Sequence, residues 1–393
     1  MGDNGVLRLL QARLGKDTPV PFELKLWDGL CYHFGEGEPS FQVKINDPSG
    51  LAALSQMDLR QIAEAYMAGA LDLAGDMLKV LEIRGFLTDQ SQWWHRFWKH
   101  LSPLLLGQVK IDRQAIAQHY EFDHDLFLSF LDPTRCYSHA LFEQDQESLE
   151  VAQHRKLDFA LKACRVQPGE RVLDVGGGWG TFTEYAGQQG IQVTSLTISN
   201  KSTEFLNDLI SKQQLPCQVL NQNFFEHQSA VAYDAIAILG VIEHLPNYPA
   251  VLKQLSQLVK PGGRVYLDAS ATRYKHQKDA FISRYIYPGN HSFLCLHDFL
   301  KAVADSPFEV LAVYNDRHNY FLTCKAWAEN FDRAQEQIIH RWGEEIYRMF
   351  RLYLWGSAHA FYSRGLDAYR VILERKHSDI SSQPSASTQN LSN

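Results

Sequence analysis

Residues 171–180, Arg-Val-Leu-Asp-Val-Gly-Gly-Gly-Trp-Gly, carry the chemistry most readily read from this chain. A β-branched apolar run ends in Asp174, and glycines follow at once. Such a segment is a buried strand delivering the chain into a tight turn at the carboxyl edge of a sheet, where missing Cβ atoms at Gly176 and Gly178 let a ligand approach the backbone. A nucleotide or an adenosyl group suits such a turn, and a lone glycine turn does not choose between them. A dinucleotide site expects an acidic residue about 20 residues on, at the end of the next strand. The chain offers Thr197-Ile-Ser199 there, hydroxyls without a carboxylate. Glu243 follows another apolar run, and a carboxylate at the ligand edge of a sheet is a functional candidate.

The elements that must position these residues follow from the apolar patterning. Strands are expected at 171–175, 192–198, 217–220 and 235–239, with Pro261-Gly-Gly263 turning into a strand at 264–267. Strands alternating with helices imply an α/β, Rossmann-like, doubly wound parallel sheet with its ligand at the carboxyl edge. The Pro-Gly-Gly turn and Ile242-Glu-His244 point to a class I methyltransferase sheet. Upstream, Phe22, Leu24, Leu26, Tyr32, Phe34, Phe41, Val43 and Ile45 alternate around turn residues, predicting a small antiparallel sheet. Residues 58–84 then switch to helical spacing. The resulting division is an α+β accessory domain over 1–90, a linker over 91–111, the main domain over 112–377 and a polar, disordered tail over 378–393.

The 393 residues carry a net charge of −7, which argues against a nucleic-acid partner. Six cysteines show neither metal-ligand spacing nor a disulfide framework, so no metal is expected and a reduced, cytoplasmic setting is. No signal peptide or spanning segment is visible at the sequence level. Residues 91–107 mix three Trp and a Phe with His95, Arg96, Lys99 and His100. That mixture suits an inter-domain packing helix somewhat better than a membrane interface.

In combination, several blocks resemble the cyclopropane-fatty-acid synthase group of S-adenosylmethionine-dependent methyltransferases. They are Phe34-Gly-Glu-Gly-Glu38, Glu64 through Asp72, His119 through Phe127, Leu131-Asp-Pro133, Tyr137-Ser138, Ala152-Gln153, Lys156-Leu157, the glycine turn, Thr197-Ile-Ser199, Glu243-His244, Tyr285 through Gly289, Tyr320, Ala326-Trp327 and Arg348 through Leu354. The resemblance covers roughly residues 20 to 375. It implies S-adenosylmethionine over 176–178, Tyr137 and Ser138 at its polar end, Thr197 and Ser202 by the ribose and Phe224 on the adenine. It also implies methyl transfer to an alkene carbon of a phospholipid acyl chain, leaving a carbocation that aromatic faces such as Tyr285, Tyr287 and Tyr320 shelter. A cytoplasmic protein, peripheral at the inner membrane surface and open to homodimer formation, is the matching expectation.

Members of that group hold bicarbonate as the base with a cysteine, a glutamate, a histidine and a tyrosine. Glu243 and Tyr320 match, but the cysteine position holds His139, with Cys136 three places early, and the histidine position holds Asp268. Ser202 stands where a glutamine is usual, and Asn223 where an acidic or small residue is. Two carboxylates facing one site repel a bound anion, whereas a histidine titrates near neutrality. The expectation is therefore that His139, paired with Asp268, accepts the proton and that bicarbonate is dispensable. The competing readings are a small-molecule methyltransferase of the same fold and a lipid-binding paralogue without catalysis.

Overall fold

The structure, a computed structural model, describes residues 8, 10–12, 18, 20–85, 124–275, 285–286 and 292–377. The aromatic-basic stretch 91–107, the 378–393 tail, His119 and Tyr287 lie outside the described residues.

The N-terminal unit is built on β1 (Phe22–Lys25), β2 (Cys31–Phe34), β3 (Phe41–Ile45) and β4 (Leu71–Gly75), in the order β2-β1-β3-β4. Its alternating apolar residues face one side, and Phe22 stacks between Phe34 and Phe41 at 4.8 and 5.0 Å. The sheet is not wholly antiparallel, as the spacing predicts. β1 and β3 pair in parallel, because β2 ends opposite Phe22 and residues 35–40 cross that end, so that β3 starts level with β1.

Helical spacing over 58–84 is also interrupted. After α1 (Pro48–Ser55) come α2 (Leu59–Met67), β4 and α3 (Met77–Glu82), with Asp58 and Asp76 accepting from the first backbone amides of α2 and α3. Gly69 at φ +79° lets the chain leave α2. The open edge of β3 then captures 71–75 as a strand, so sheet pairing overrides the local helical preference.

The larger unit runs α4 (His124–Leu128), α5 (Leu149–Cys164), β5 (Arg171–Val175), α6 (Thr181–Gln188), β6 (Gln192–Thr197), α7 (Asn200–Gln213), β7 (Gln218–Asn221), β8 (Tyr233–Leu239), α8 (Tyr248–Leu258), β9 (Val259–Ala271), α9 (Leu296–Ala304), β10 (Phe308–Asn315), α10 (Arg317–Arg333), α11 (Gln335–Trp342), α12 (Glu344–Tyr362) and β11 (Asp367–Arg375). The seven strands lie in the order β10-β11-β9-β8-β5-β6-β7. β5 to β9 are parallel, as the α/β reading requires, while β11 runs antiparallel to both β9 and β10. Pro261-Gly-Gly263 is not a turn before the strand. It is an interruption inside β9, between Val259 paired with Tyr233 and Arg264 paired with Ala235.

The two units are joined through α12. Arg348, buried, donates to the carbonyls of Tyr66 and Leu71 at 3.0 Å and to Asp72 at 2.6 Å. Arg351 donates to Tyr66 Oη at 3.1 Å, and Tyr285 Oη donates to Glu64 at 2.9 Å. No helix among the described residues is long and apolar enough to cross a membrane.

Candidate functional site

The strand order reverses at β5, which has β6 on one side and β8 on the other. Open α/β sheets take ligands in the crevice this reversal creates. The carboxyl ends of β5, β6 and β8 deliver Gly176, Thr197 and Gly240 to that edge.

The glycine turn is held from within. Gly176 and Gly177 N–H both donate to Leu196 O at 2.9 Å. Gly177 has no room for a side chain, since a Cβ there would lie 2.1 Å from Ser195 Oγ. Gly178 differs: at φ +49°, a Cβ would meet, among the described residues, only the turn's own Gly176 carbonyl, at 3.8 Å. Its face is open, as an adenosyl ligand lying over the turn requires.

Asp174 does not reach the ligand side. Its carboxylate accepts from Ser195 Oγ at 2.8 Å and Thr183 Oγ1 at 3.2 Å, and burial pushes it up to about 6 against those two bonds. It braces the turn. Ser202 Oγ donates to Gly178 O at 2.9 Å, so the residue in the glutamine position clamps the turn rather than extending over it. Thr197 Oγ1 accepts from Ser199 N–H at 3.2 Å. Phe224 lies in the apolar cluster with Leu173, Val175 and Leu196, beside the half-exposed Phe225.

Across the crevice, Tyr137 and Ser138 enter on the loop between α4 and α5. Tyr137 Oη pairs with Tyr353 Oη at 2.8 Å, and its ring packs against Phe127, Phe130 and Trp327. Ser138 Oγ accepts from Lys156 Nζ at 2.8 Å. Ser138 sits against Gly240, at φ +65°, where an added Cβ would lie only 3.2 Å from Ser138 Cβ.

Glu243 is buried on the turn after β8. Its Oε1 accepts from Ser270 N–H at 2.8 Å and Ser270 Oγ at 2.7 Å, while Oε2 has no partner among the described residues. Burial is the main cause that pushes this carboxyl up to about 7; the two Ser270 bonds oppose it and the charge of Asp268 adds to it. An acid poised near neutrality with one bare oxygen takes up either a proton or a nearby positive charge. His244, next in the chain, is pushed down to about 4 by burial.

The pairing of His139 with Asp268 does not form. Asp268 shares one face of β9 with Ser270 and Tyr266, and its Oδ2 lies 3.8 Å from Lys156 Nζ. Lys156, fully buried, also donates to Cys136 Sγ at 2.7 Å. Asp268 is therefore charge-compensated from α5, so the second carboxylate beside Glu243 is less repulsive than the charge count predicts. His139, also fully buried, bonds instead through Nε2 to Asp316 Oδ2 at 3.2 Å. Its ring lies 5.1 Å from that of Tyr320, which stacks on Phe361 at 4.3 Å.

Three participants were missed at the sequence level as site residues: Asp316, Arg370 and Ser270. Asp316 occupies the N-cap position of α10, one turn before Tyr320, a spacing of four that places it beside that residue and was a readable signal. Arg370 and Ser270 gave none.

The chain resembles known proteins over most of its length. A profile of the mycolic acid cyclopropane synthetase family matches residues 108–371, and a domain of unknown function matches residues 9–90. The cyclopropane-fatty-acyl-phospholipid synthase of Escherichia coli is 27% identical, over 86% of this chain and 89% of that protein. The tuberculostearic acid methyltransferase of Mycobacterium tuberculosis is 28% identical, over 91% and 89%. Among solved structures, mycolic acid cyclopropane synthase CmaA1, complexed with SAH and CTAB, aligns with a TM-score of 0.62 at 26% identity, covering 67% of this chain and 98% of that one. Together with the open glycine turn at the strand-order reversal, these likenesses settle the class. The chain belongs to the mycolic acid cyclopropane synthetase family and is a methyltransferase that uses S-adenosyl-L-methionine.

Proposed function

We propose that the protein methylates an unsaturated fatty acyl chain of a phospholipid at an alkene carbon, through a carbocation. The observation that carries this reading is the aromatic wall beside the crevice. Tyr137, Phe127, Phe130, Trp327, Tyr320 and Phe361 join one cluster facing the loop that bears Ser138 and His139. Aromatic faces stabilise a cation without attacking it, and an apolar wall excludes water that would.

Gly178, Thr197, Tyr137 and Ser138 are the residues placed to hold the cofactor. When bound, S-adenosyl-L-methionine supplies an electrophilic methyl group on a sulfonium. Glu243 answers positive charge in the crevice with its unpartnered oxygen. Tyr320 presents a ring already fixed by stacking, so little ordering remains to be done when a cation forms beside it.

Membrane-lipid access is supported by the exposed Trp27 and Leu30, which flank the turn between β1 and β2. Relatives named for fatty acid, sphingolipid and phospholipid substrates agree on acyl-bearing lipids as the class. Loss of the cofactor site, as a lipid-binding paralogue would show, finds no support: Ser202 tightens the glycine turn instead of breaking it.

Expression in a host lacking such an enzyme, followed by mass spectrometry of its lipids, tests the proposal. A gain of one CH2 per acyl chain is expected. Unchanged lipids, with S-adenosyl-L-methionine binding intact by calorimetry, would overturn it in favour of a small-molecule acceptor.

A further inference from the structure

Behind His139 stands a row of buried charges that binding of the cofactor does not use. Asp316, 2% exposed, accepts from His139 Nε2 at 3.2 Å, from Arg370 Nε and Nη2, and from Asn319 at 3.1 Å. Arg370 is fixed in turn, its guanidinium lying 4.3 Å from the Phe159 ring and 4.8 Å from that of Tyr314. The backbone closes the same unit: Asp316 N–H donates to Ala368 O at 2.8 Å, and Ala140 N–H donates to Thr323 Oγ1 at 2.9 Å. His139 is thereby pinned on both sides.

This arrangement decides which nitrogen is available. Asp316 is acceptor-only when ionised, so the Nε2 facing it must carry hydrogen. The other nitrogen, Nδ1, has no partner among the described residues although His139 is fully buried. A buried bare nitrogen is costly unless something occupies it during function. Charge balance supports the same conclusion. Arg370 stands directly opposite Asp268 across the β9–β11 pair, and Lys156 approaches Asp268 from α5. The two cations Lys156 and Arg370 match the two carboxylates Asp268 and Asp316 in charge, and Glu243 adds a third carboxylate. No net positive charge is left to hold an anion, although Arg370 Nη1 has no partner among the described residues.

We propose that Asp316 and Arg370 are positioning residues that hold His139 as the protein's own proton acceptor, in the place where a bound anion would act. The inference rests on the carbocation reading above. For ring closure, the electron pair of a C–H bond of the transferred methyl group forms the new C–C bond to the cationic carbon. For a double bond, it is the pair of a C–H bond on a carbon adjacent to the cation. Either way, the released proton passes to His139 Nδ1. The imidazolium so formed is neutralised by Asp316, which remains ionised because His139 and Arg370, outweighing the opposing effect of burial, hold it down to about 2. Among the described residues, Tyr320 lies against the His139 ring, while Tyr266 and Lys156 flank Asp268.

Two measurements test this on the full-length protein. Nitrogen-15 spectra of histidine-labelled protein report the tautomer, with the His139 signal identified as the one that shifts in Asp316→Asn and disappears in His139→Gln. A protonated Nε2 and bare Nδ1 are expected; protonation at Nδ1 in the neutral ring overturns the proposal, whatever the substrate. In turnover on unsaturated phospholipid vesicles, Asp316→Asn should lower kcat about 100-fold while leaving the calorimetric affinity for S-adenosyl-L-methionine unchanged. Arg370→Lys should restore more activity than Arg370→Met. Wild-type turnover should be the same in carbonate-depleted buffer with and without added bicarbonate. Strong stimulation by bicarbonate, or an undiminished kcat in Asp316→Asn, would overturn the relay. Absence of any lipid methylation by the wild type would sink the acyl-chain reading alone, and the tautomer would still decide the relay.

Discussion

The two sides of the crevice are built on different physical terms. The glycine turn is a steric object, assembled from residues 174–202 by backbone bonds and short hydroxyl side chains. Its specificity lies in what cannot be added, as the 2.1 Å between a Cβ on Gly177 and Ser195 Oγ shows. The pocket opposite is electrostatic. It draws His139, Lys156, Glu243, Asp268, Asp316 and Arg370 from six separate elements of the chain, and its specificity lies in which charge meets which. The first side tolerates no added volume at Gly177, and the second tolerates no unmatched charge.

That contrast is sharpest at Glu243. Glu243→Gln should cut turnover by about 100-fold or more, as removal of a positioned acid–base or charge-stabilising group does. It should also raise stability at alkaline pH. With the folded value pushed up to about 7 from 4.5, the contribution of Glu243 is complete below 4.5 and lost as the pH rises through 7. Thermal melts should therefore show little difference between variant and wild type near pH 4, and a gap in favour of Gln that widens to roughly 3 kcal/mol by about pH 8. A gap that is the same at both pH values would show that Glu243 is not a strained acid.

Lys156→Met comes next. It leaves Asp268 buried and without its cation, which should cost about 3–5 kcal/mol in denaturant titrations. Adding Asp268→Asn should recover much of that loss. A double variant no better than the single one would break the charge-matching account of this side.

The smallest effects separate two adjacent glycines. Gly177→Ala, forced against Ser195, should lower stability by about 1–3 kcal/mol. Gly178→Ala meets open space and should cost only about 1 kcal/mol for its left-handed φ, yet weaken S-adenosyl-L-methionine binding in calorimetry. Equal losses of stability at both positions would erase the distinction between a packed glycine and an open one.

Legibility in the sequence followed the same division. The parallel strands β5, β6 and β8 and the glycine turn were readable, because β-branched runs ending in glycine reflect forces that act within a few residues. The parallel pairing of β1 with β3, the capture of 71–75 as β4 and the interruption within β9 were not, because each depends on a neighbour supplied by a distant segment. The same holds for the partner of His139. Asp268 and Asp316 are equivalent carboxylates to a reader of the chain, and only β9 facing α5, with α10 delivering Asp316 to the loop, chooses between them.

The sequence by itself determined the parallel strands, the cradle and the residue types at the site, since period, branching and glycine content act locally. The antiparallel β10 and β11 that complete the sheet were not read from it. The tertiary structure alone decided the pairings of His139 with Asp316, Asp268 with Lys156 and Glu243 with Ser270. Charge interactions in a buried pocket depend on distance and dielectric, and neither is set until strands and helices far apart in the chain have packed.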